Sequence, residues 1–133
     1  MTTKADAWVR LTLAEVPLSE VVAHDGIGSI RFCRIASQEK KHEPGLGLPL
    51  RGACNYMDYS VVPVGASVGL HQHRENEEEF YLILRGRGRL FCNGQSLDVG
   101  AGDLLRNPPG GSHALDNTGS EELVMFVFEV QVP

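Results

Sequence analysis

The stretch Gly65-Ala-Ser-Val-Gly-Leu-His71-Gln-His73-Arg-Glu-Asn-Glu77-Glu78-Glu79 combines two histidines, one residue apart, with a run of three glutamates. On a β-strand, residues two apart point to the same face, so His71 and His73 can chelate one ion. A short turn after His73 would bring one of the three carboxylates beside them. Neutral imidazole and carboxylate together suit a borderline divalent metal, whereas softer sites use cysteine. The stretch therefore predicts a metal site at a strand end.

A third histidine follows a turn rich in glycine and proline, in the stretch Gly102-Asp-Leu-Leu-Arg-Asn-Pro108-Pro-Gly110-Gly-Ser-His113-Ala-Leu-Asp-Asn117. The turn delivers His113 onto a new strand. If that strand faces the same interior, three imidazoles and one carboxylate surround the ion. One or two coordination positions then stay open for water, substrate or dioxygen. Open positions of this kind are typical of catalytic metal sites.

The rest of the chain predicts short β-strands separated by turns. Its 15 glycines and 7 prolines punctuate the sequence at short intervals, which argues against a helical bundle. Asn93-Gly94 favours a type I′ hairpin, because both residues tolerate a positive φ. The predicted strands are 28–36, 55–62, 67–73, 79–85, 88–92, 95–99, 103–106, 112–116 and 123–132. We expect an all-β fold, an antiparallel sandwich or barrel.

Two segments are predicted to lie outside these strands. Residues 13–22 favour at most a short helical turn. Residues 38–53 contain two prolines and three glycines without a strand period, which predicts a long loop. Such loops either close over a binding site or form solvated connections.

Length and charge limit the classes of function. At 133 residues the chain is the size of one domain, and its net charge of −5 gives no basic surface for nucleic acid. The amino terminus lacks the apolar core of a signal peptide, and no stretch reaches the roughly 20 apolar residues that span a bilayer. We therefore expect a cytoplasmic protein without nucleic-acid or membrane partners. Cys33, Cys54 and Cys92 are widely spaced and are predicted to be buried free thiols.

The chain is similar to the cupins, a family of small β-barrel proteins with two sequence motifs. The first, G(x)5HxH(x)3-4E(x)6G, is matched by Gly65, His71, His73, Glu79 and Gly86, with one extra residue before the glutamate. The second, G(x)5PxG(x)2H(x)3N, is matched without a gap by Gly102, Pro108, Gly110, His113 and Asn117. The resemblance implies an antiparallel double-stranded β-helix, the cupin jelly-roll barrel. We expect a single domain over residues 1–133, with an amino-terminal arm at 1–26 and the barrel at about 27–133.

The extra residue leaves two ways to assign the carboxylate ligand. Counting forward from His73 selects Glu78, whereas counting back from the closing glycine selects Glu79. Neighbouring residues on a strand face opposite sides, so only one of them can be the ligand. We expect Glu79, with Glu78 as the alternative, because the apolar run 80–84 fixes the register and the preceding turn can absorb an insertion. Glu77 and Glu78 would then be solvated.

The resemblance implies a divalent metal ion, which the sequence does not identify among Fe, Mn, Zn, Ni and Cu. Its implied ligands are His71, His73, Glu79 and His113. Candidate interior neighbours of the metal, by strand parity or by position, are Tyr81, Ile83, Leu115, Asn117, Met57 and Tyr59. Among these, Tyr81 and Tyr59 are the candidates for a catalytic group.

The remaining two histidines and a series of three arginines are expected to have no role in the metal site. His24 and His42 are expected to be ordinary surface or core residues. Arg85, Arg87 and Arg89 alternate with glycines and are expected to form a solvated hairpin rim.

The leading functional hypothesis is a metal-dependent enzyme that acts on a small organic molecule inside the barrel. The ion would serve as a Lewis acid or a dioxygen-binding centre. The resemblance permits isomerase, cyclase, rearrangement, decarboxylase or dioxygenase chemistry, and the sequence does not choose among them. The motif regions also resemble small stand-alone cupins of natural-product biosynthesis. The alternative is a non-catalytic module that binds a sugar or a carboxylate. The resemblance further implies a homodimer, with strand 123–132 or the amino-terminal strands supplying sheet edges.

Overall fold

A computed structural model describes residues 8–38 and 45–133. Within these ranges, eleven β-strands form two sheets. The strands are β1 (Ser19–Val21), β2 (Ile30–Ser37), β3 (Gly45–Pro49), β4 (Cys54–Val62), β5 (Ser67–Gln72), β6 (Glu77–Arg85), β7 (Arg87–Cys92), β8 (Gln95–Gly100), β9 (Leu104–Asn107), β10 (Ser112–Asn117) and β11 (Leu123–Gln131). Each of the predicted strands is present, with ends that differ by no more than two residues.

The two sheets form the layers of a jelly roll. The larger sheet has the order β1-β2-β4-β11-β6-β9, with β3 also on β2, and the smaller one has the order β5-β10-β7-β8. Neighbouring strands are antiparallel except for β2 and β3. The prediction of an all-β jelly-roll fold is confirmed. The division of the chain into domains stays a prediction.

The core lies between the sheets and is built by strand alternation. Successive residues of a strand point to opposite faces, and on β6 every second position from Glu77 to Ile83 is buried. The apolar ones among them pack with residues of the smaller sheet, such as Leu90 and Leu115, in one hydrophobic core. Polar groups that share this inner face are therefore enclosed by the barrel.

The predicted hairpin between β7 and β8 is confirmed. Cys92 pairs with Gln95 across the turn. Asn93 and Gly94 have φ values of 50° and 80°, as a type I′ turn requires.

The expectation of an unbroken loop at 38–53 is wrong, because β3 forms within it. The sequence Gly45-Leu-Gly-Leu-Pro49 has a period of two, with leucine at every second position, which the glycines and proline obscured. Leu46 and Leu48 pack against Cys33 on the outer face of the larger sheet, the face turned away from the smaller sheet. β3 thus adds a second apolar layer outside the barrel.

The amino-terminal segment contributes to the same outer layer. The helical turn predicted in 13–22 is present as a 3₁₀ turn at Leu13–Glu15, and Leu18 packs against the outer face after it. β1 then pairs with β2, so residues expected in an arm belong to the larger sheet. None of the helical segments among the described residues is long and apolar enough to cross a bilayer.

The cysteines and the arginine series largely match expectation. All three cysteines are free thiols. Cys33 is buried, whereas Cys54 and Cys92 are only half-buried. Arg85, Arg87 and Arg89 are exposed, as expected for the rim of a hairpin.

Candidate metal centre

Four side chains predicted as metal ligands come together inside the barrel. His71 lies on β5 and pairs directly with His113 on β10. Glu79 lies on β6 of the larger sheet, and His73 follows the end of β5. Their candidate ligand atoms all lie within 4.8 Å of one another. These four residues are called the His–Glu cluster below.

Two histidine nitrogens converge on one carboxylate oxygen in the His–Glu cluster. Nε2 of His113 lies 3.0 Å from Oε1 of Glu79, and Nε2 of His73 lies 3.4 Å from the same atom. The ring centroids of His71 and His113 are 4.3 Å apart. His113 is fully buried and Glu79 is 4% exposed, so water screens these contacts little.

Hydrogen bonds at the far side of two rings leave their second nitrogen available to an ion. Nδ1 of His71 donates to the Gly69 carbonyl oxygen at 2.8 Å, and Nδ1 of His73 donates to Oε2 of Glu129 at 3.0 Å. Nε2 of His73 is buried and makes no hydrogen bond to any residue that the structure describes. A nitrogen lone pair that faces a carboxylate is repelled unless a cation or proton lies between them. The His–Glu cluster therefore fits a divalent metal ion.

His71 and His73 differ in proton affinity because their surroundings differ. Burial lowers the pKa of His71 to about 4, although its hydrogen bond to the Gly69 backbone opposes this shift. Burial also lowers the pKa of His73, but its hydrogen bond to Glu129 and its contact with Glu79 outweigh burial and raise the pKa to about 10. Without a metal, His71 is therefore neutral and His73 is charged at neutral pH.

A tyrosine that sequence reasoning missed anchors Glu79. The Tyr56 hydroxyl donates a hydrogen bond to Oε2 of Glu79. Burial raises the pKa of Glu79, but hydrogen bonding from His113 and the nearby His73 outweigh it and hold the pKa well below its usual range. Burial and the Glu79 charge raise the pKa of Tyr56, so its hydroxyl remains a donor to a charged carboxylate.

The expectation that Met57 and Tyr59 line the barrel is wrong. Both pack on the outer face of the larger sheet, whereas Tyr56 and Asp58 line the interior cavity. The residues of β4 that line the cavity include the polar Asp58 and Ser60, so hydrophobicity does not mark the inner face of this strand. Tyr59 therefore lies away from the cavity in which a catalytic group would act. The charge of the inner Asp58 is paired with Arg34, its neighbour on β2, a contact that only the fold reveals.

Strand alternation divides the acidic run. Glu79 points inward, whereas Glu78 receives a hydrogen bond from Arg106 at 2.7 Å on the outer side. Glu78, the alternative assignment, therefore lies outside the His–Glu cluster. The expectation that Glu77 is solvated is wrong, because β6 begins two residues earlier than predicted. Glu77 is 7% exposed, and its carboxylate lies near His73 and Glu129.

A cavity of about 260 Å³ adjoins the His–Glu cluster, with His71 and Glu79 in its wall. Arg34 also lines it, and the guanidinium makes two hydrogen bonds to Asp58 at 2.8 and 2.9 Å. The Cζ atom of Arg34 lies 4.1 Å from the centroid of the Tyr56 ring. The cavity wall therefore carries the Arg34–Asp58 ion pair, with the guanidinium held in a fixed position.

His24, interpreted from sequence as an ordinary histidine, lies in the same cavity wall. Its ring stacks on that of His71 with 3.6 Å between centroids. It has a φ of 51° in the turn Ala23–Asp25, a conformation that costs energy in a residue other than glycine. The sequence did not predict this position, because His24 lies far from both motifs along the chain. His42 lies outside the described residues.

The other predicted neighbours take different places. Tyr81 is buried and packs edge-on against His113, with 5.6 Å between ring centroids. Burial and the Glu79 charge raise the pKa of Tyr81 well above its usual value. Ile83 and Leu115 belong to the hydrophobic core. Asn117 donates to two backbone carbonyls and so holds a turn.

Comparison with known proteins gives concordant results. The family model "Cupin domain" matches residues 58–129. The chain is 45% identical, over 98 residues, to a protein of Thermotoga maritima named "Oxalate-binding protein". The aligned residues make up 74% of this chain and 73% of that relative. It is 34% identical over 73 residues to an uncharacterized protein of Methanocaldococcus jannaschii, covering 55% of this chain and 58% of that protein.

Solved structures show the same fold. The crystal structure of a predicted oxalate decarboxylase from Thermotoga maritima matches with a TM-score of 0.79 and 26% identity, covering 93% of this chain and all of that chain. The cupin domain of Cnp3 from Schizosaccharomyces pombe matches with a TM-score of 0.70 and 15% identity, covering 92% of this chain and 69% of that chain. Since the family model spans more than half of its length, the chain belongs to the cupin family.

Proposed function

We propose that the protein binds a small carboxylate, with oxalate as the first candidate, at a divalent metal ion held by His71, His73, Glu79 and His113. The observation that carries this proposal is the convergence of these ligand atoms beside a cavity of about 260 Å³. A bound ion would supply a Lewis acid for a carboxylate oxygen. The cavity suits a small ligand, which a barrel of this size can enclose.

Arg34 gives the cavity a second feature that suits an anion. Its guanidinium is held by Asp58 and by the Tyr56 ring, so its position is fixed before a ligand arrives. Guanidinium groups match carboxylates in geometry as well as charge. The relative named "Oxalate-binding protein" supports the same ligand class. The metal and Arg34 together favour a carboxylate over a neutral sugar.

Calorimetric titration with oxalate tests this proposal. We expect binding to protein loaded with Mn²⁺ or Zn²⁺ and none to metal-free protein. Arg34→Lys keeps a positive charge but loses the fork-shaped donor, and it should weaken oxalate binding about tenfold. Arg31→Lys, on the same strand but paired with the surface residue Glu122, is the matched control and should change it less than twofold. Failure of metal-loaded protein to bind oxalate would rule out this ligand.

Turnover of a bound carboxylate is a second candidate function. It is favoured by the 26% identity to a predicted oxalate decarboxylase and by a ligand set that leaves coordination positions open. Decarboxylation would break the carbon–carbon bond of oxalate, release carbon dioxide and require one proton to form formate. Tyr81 is the predicted catalytic candidate that contacts the His–Glu cluster.

Product analysis separates an enzyme from a binding module. Metal-loaded protein incubated with oxalate should yield equal amounts of formate and carbon dioxide if it is a decarboxylase. Oxygen consumption, with two molecules of carbon dioxide from each oxalate and dioxygen reduced to hydrogen peroxide, would instead indicate oxidation by dioxygen. Binding without any product supports the non-catalytic module. Isomerase or cyclase activity in a biosynthetic pathway would require a substrate larger than oxalate, the ligand in the name of the Thermotoga maritima relative.

A further inference from the structure

A buried chain of polar side chains leads away from His73. Oε2 of Glu129 accepts a hydrogen bond from Nδ1 of His73 at 3.0 Å, and Oε1 accepts one from Nδ2 of Asn55 at 2.8 Å. Oδ1 of Asn55 in turn accepts from Nε2 of Gln131 at 2.9 Å. Glu129 and Asn55 are each 1% exposed. Both oxygens of Glu129 are therefore engaged, and its orientation is fixed.

Glu129 also lies directly opposite Glu79 across β11 and β6. Like charges at opposite positions of a sheet destabilise it, and more so when both are buried. Here the ring of His73 contacts both carboxylates, with Nδ1 on Glu129 and Nε2 near Glu79. The pair of glutamates is thus arranged around one imidazole, with one carboxylate for each ring nitrogen.

The Glu129 contact decides which nitrogen of His73 carries hydrogen. A carboxylate can only accept, so Nδ1 must donate. In a neutral ring Nε2 then keeps its lone pair and faces the His–Glu cluster. Metal-binding histidines are generally oriented by such a bond at the nitrogen that does not bind the metal, and the bond also raises ligand basicity.

We propose that Glu129 is a positioning residue, which holds His73 in the tautomer and orientation needed to bind the metal, and that Asn55 keeps Glu129 in place. This inference rests on the metal site of the proposed function but not on the identity of its carboxylate ligand. Among the candidate ligands, the Glu129 side chain hydrogen-bonds to His73, and we expect it to act on the metal through that residue.

A different role for the same residues is a second cation site. Ligand atoms of His73, Glu77 and Glu129 also lie within 4.8 Å of one another. The hydrogen bonds that Glu129 accepts from His73 and Asn55 favour the positioning role, because a cation would have to displace these donors. Metal stoichiometry distinguishes the two roles. One ion per chain fits positioning, and a second ion lost in Glu129→Gln would overturn it.

Zn²⁺ affinity measured by competition with a chelator tests the proposal without any carboxylate ligand. Glu129→Gln keeps the shape of the side chain but loses its charge and presents an amide donor to His73 or to Asn55. Zn²⁺ binding should weaken by about 10- to 100-fold. The matched control is Glu78→Gln, which removes the same charge from the outer face of β6, where Glu78 pairs with Arg106. That control should change the affinity less than twofold.

Two further readouts separate positioning from a general structural role. In a His73→Ala background, Glu129→Gln should change Zn²⁺ affinity less than twofold, because the residue acts through His73. An equal loss with and without His73 would overturn the proposal. In the wild-type Zn²⁺ form, NMR should show a Nδ1–H proton of His73 protected from exchange with water. Rapid exchange of this proton would overturn the proposal even if Glu129→Gln does not fold.

If wild-type protein binds Zn²⁺ with the expected loss in Glu129→Gln but binds no oxalate, only the ligand assignment fails. If it binds oxalate and Glu129→Gln has normal Zn²⁺ affinity, only the positioning role fails. A wild-type chain that binds neither Zn²⁺ nor another divalent transition metal would overturn both.

Discussion

His73 carries the proton that a metal ion would replace. Its pKa of about 10 reflects two carboxylates that together outweigh the effect of burial, whereas the pKa of His71 is about 4 because burial dominates there. Metal ligands must be deprotonated, so binding releases the protons that the ligands hold. His71 and the charged Glu79 have none to release at neutral pH. His73 does.

Metal uptake near neutral pH is therefore expected to release about one proton from His73. Calorimetry of Zn²⁺ binding in two buffers of different ionisation enthalpy measures this number. The raised pKa means that His73 is charged below about pH 10, so its release should decline as the pH rises through that value. His73→Gln should lower the release by about one proton; an unchanged release would contradict the assignment.

Motif spacing predicted which residues form the His–Glu cluster, and strand register predicted Glu79 over Glu78. The residues that support the cluster were not predictable in the same way. Tyr56 lies on the polar side of β4, and on that inward side Arg34 pairs with Asp58. His24 reaches the cavity through a turn with positive φ that no motif marks.

The turn Ala23–Asp25 packs against β5 so closely that only glycine fits between them. A Cβ atom on Gly69 would collide with the carbonyl oxygen of His24 and lie 2.8 Å from the Gly26 nitrogen. These are backbone atoms, which cannot move aside as a flexible side chain can. Gly69 thereby sets both the stack of His24 on His71 and the carbonyl that orients the His71 ring.

Gly69→Ala is expected to lower the free energy of unfolding by roughly 1–3 kcal/mol, the usual cost of overpacking. Denaturant unfolding of the metal-free protein measures this loss. Gly52→Ala is the matched control, because an added Cβ there meets no atom within 4 Å. It should change stability by less than about 0.5 kcal/mol. Equal stability of the two variants would contradict this prediction, because the turn would then move away from the added Cβ atom without a cost in free energy.

Elements with strong local signals were predicted well. The Asn93-Gly94 turn and the apolar runs of β6 and β11 predicted the type of each element, although β6 begins two residues earlier than expected. β3 was missed because its packing partner, the outer face around Cys33, is made by residues distant in sequence. Strand pairing of this kind depends on tertiary contacts more than on local pattern.

The assembly of whole molecules remains a prediction. β11 lies between β4 and β6 in the sheet, so it cannot supply the free edge that a dimer of its strands would need. β1 is an edge strand in the described part of the chain, and its three residues are exposed. We propose that a second copy of this chain pairs along the edge of β1.

Sedimentation velocity at micromolar concentration should show this homodimer. A Val21→Pro variant should be monomeric, because proline removes a ladder hydrogen bond. A monomeric wild type would contradict this.

The molecule as a whole is a barrel whose glycine-rich turns bring residues from three strands and one strand end to a single metal centre. Metal analysis of protein purified without a histidine tag or chelating resin tests that claim most directly. We expect about one divalent transition-metal ion per chain, and its loss in a His71→Ala/His113→Ala double variant that remains folded. Wild-type protein without a stoichiometric metal, or a double variant that retains it, would contradict the assignment of the His–Glu cluster.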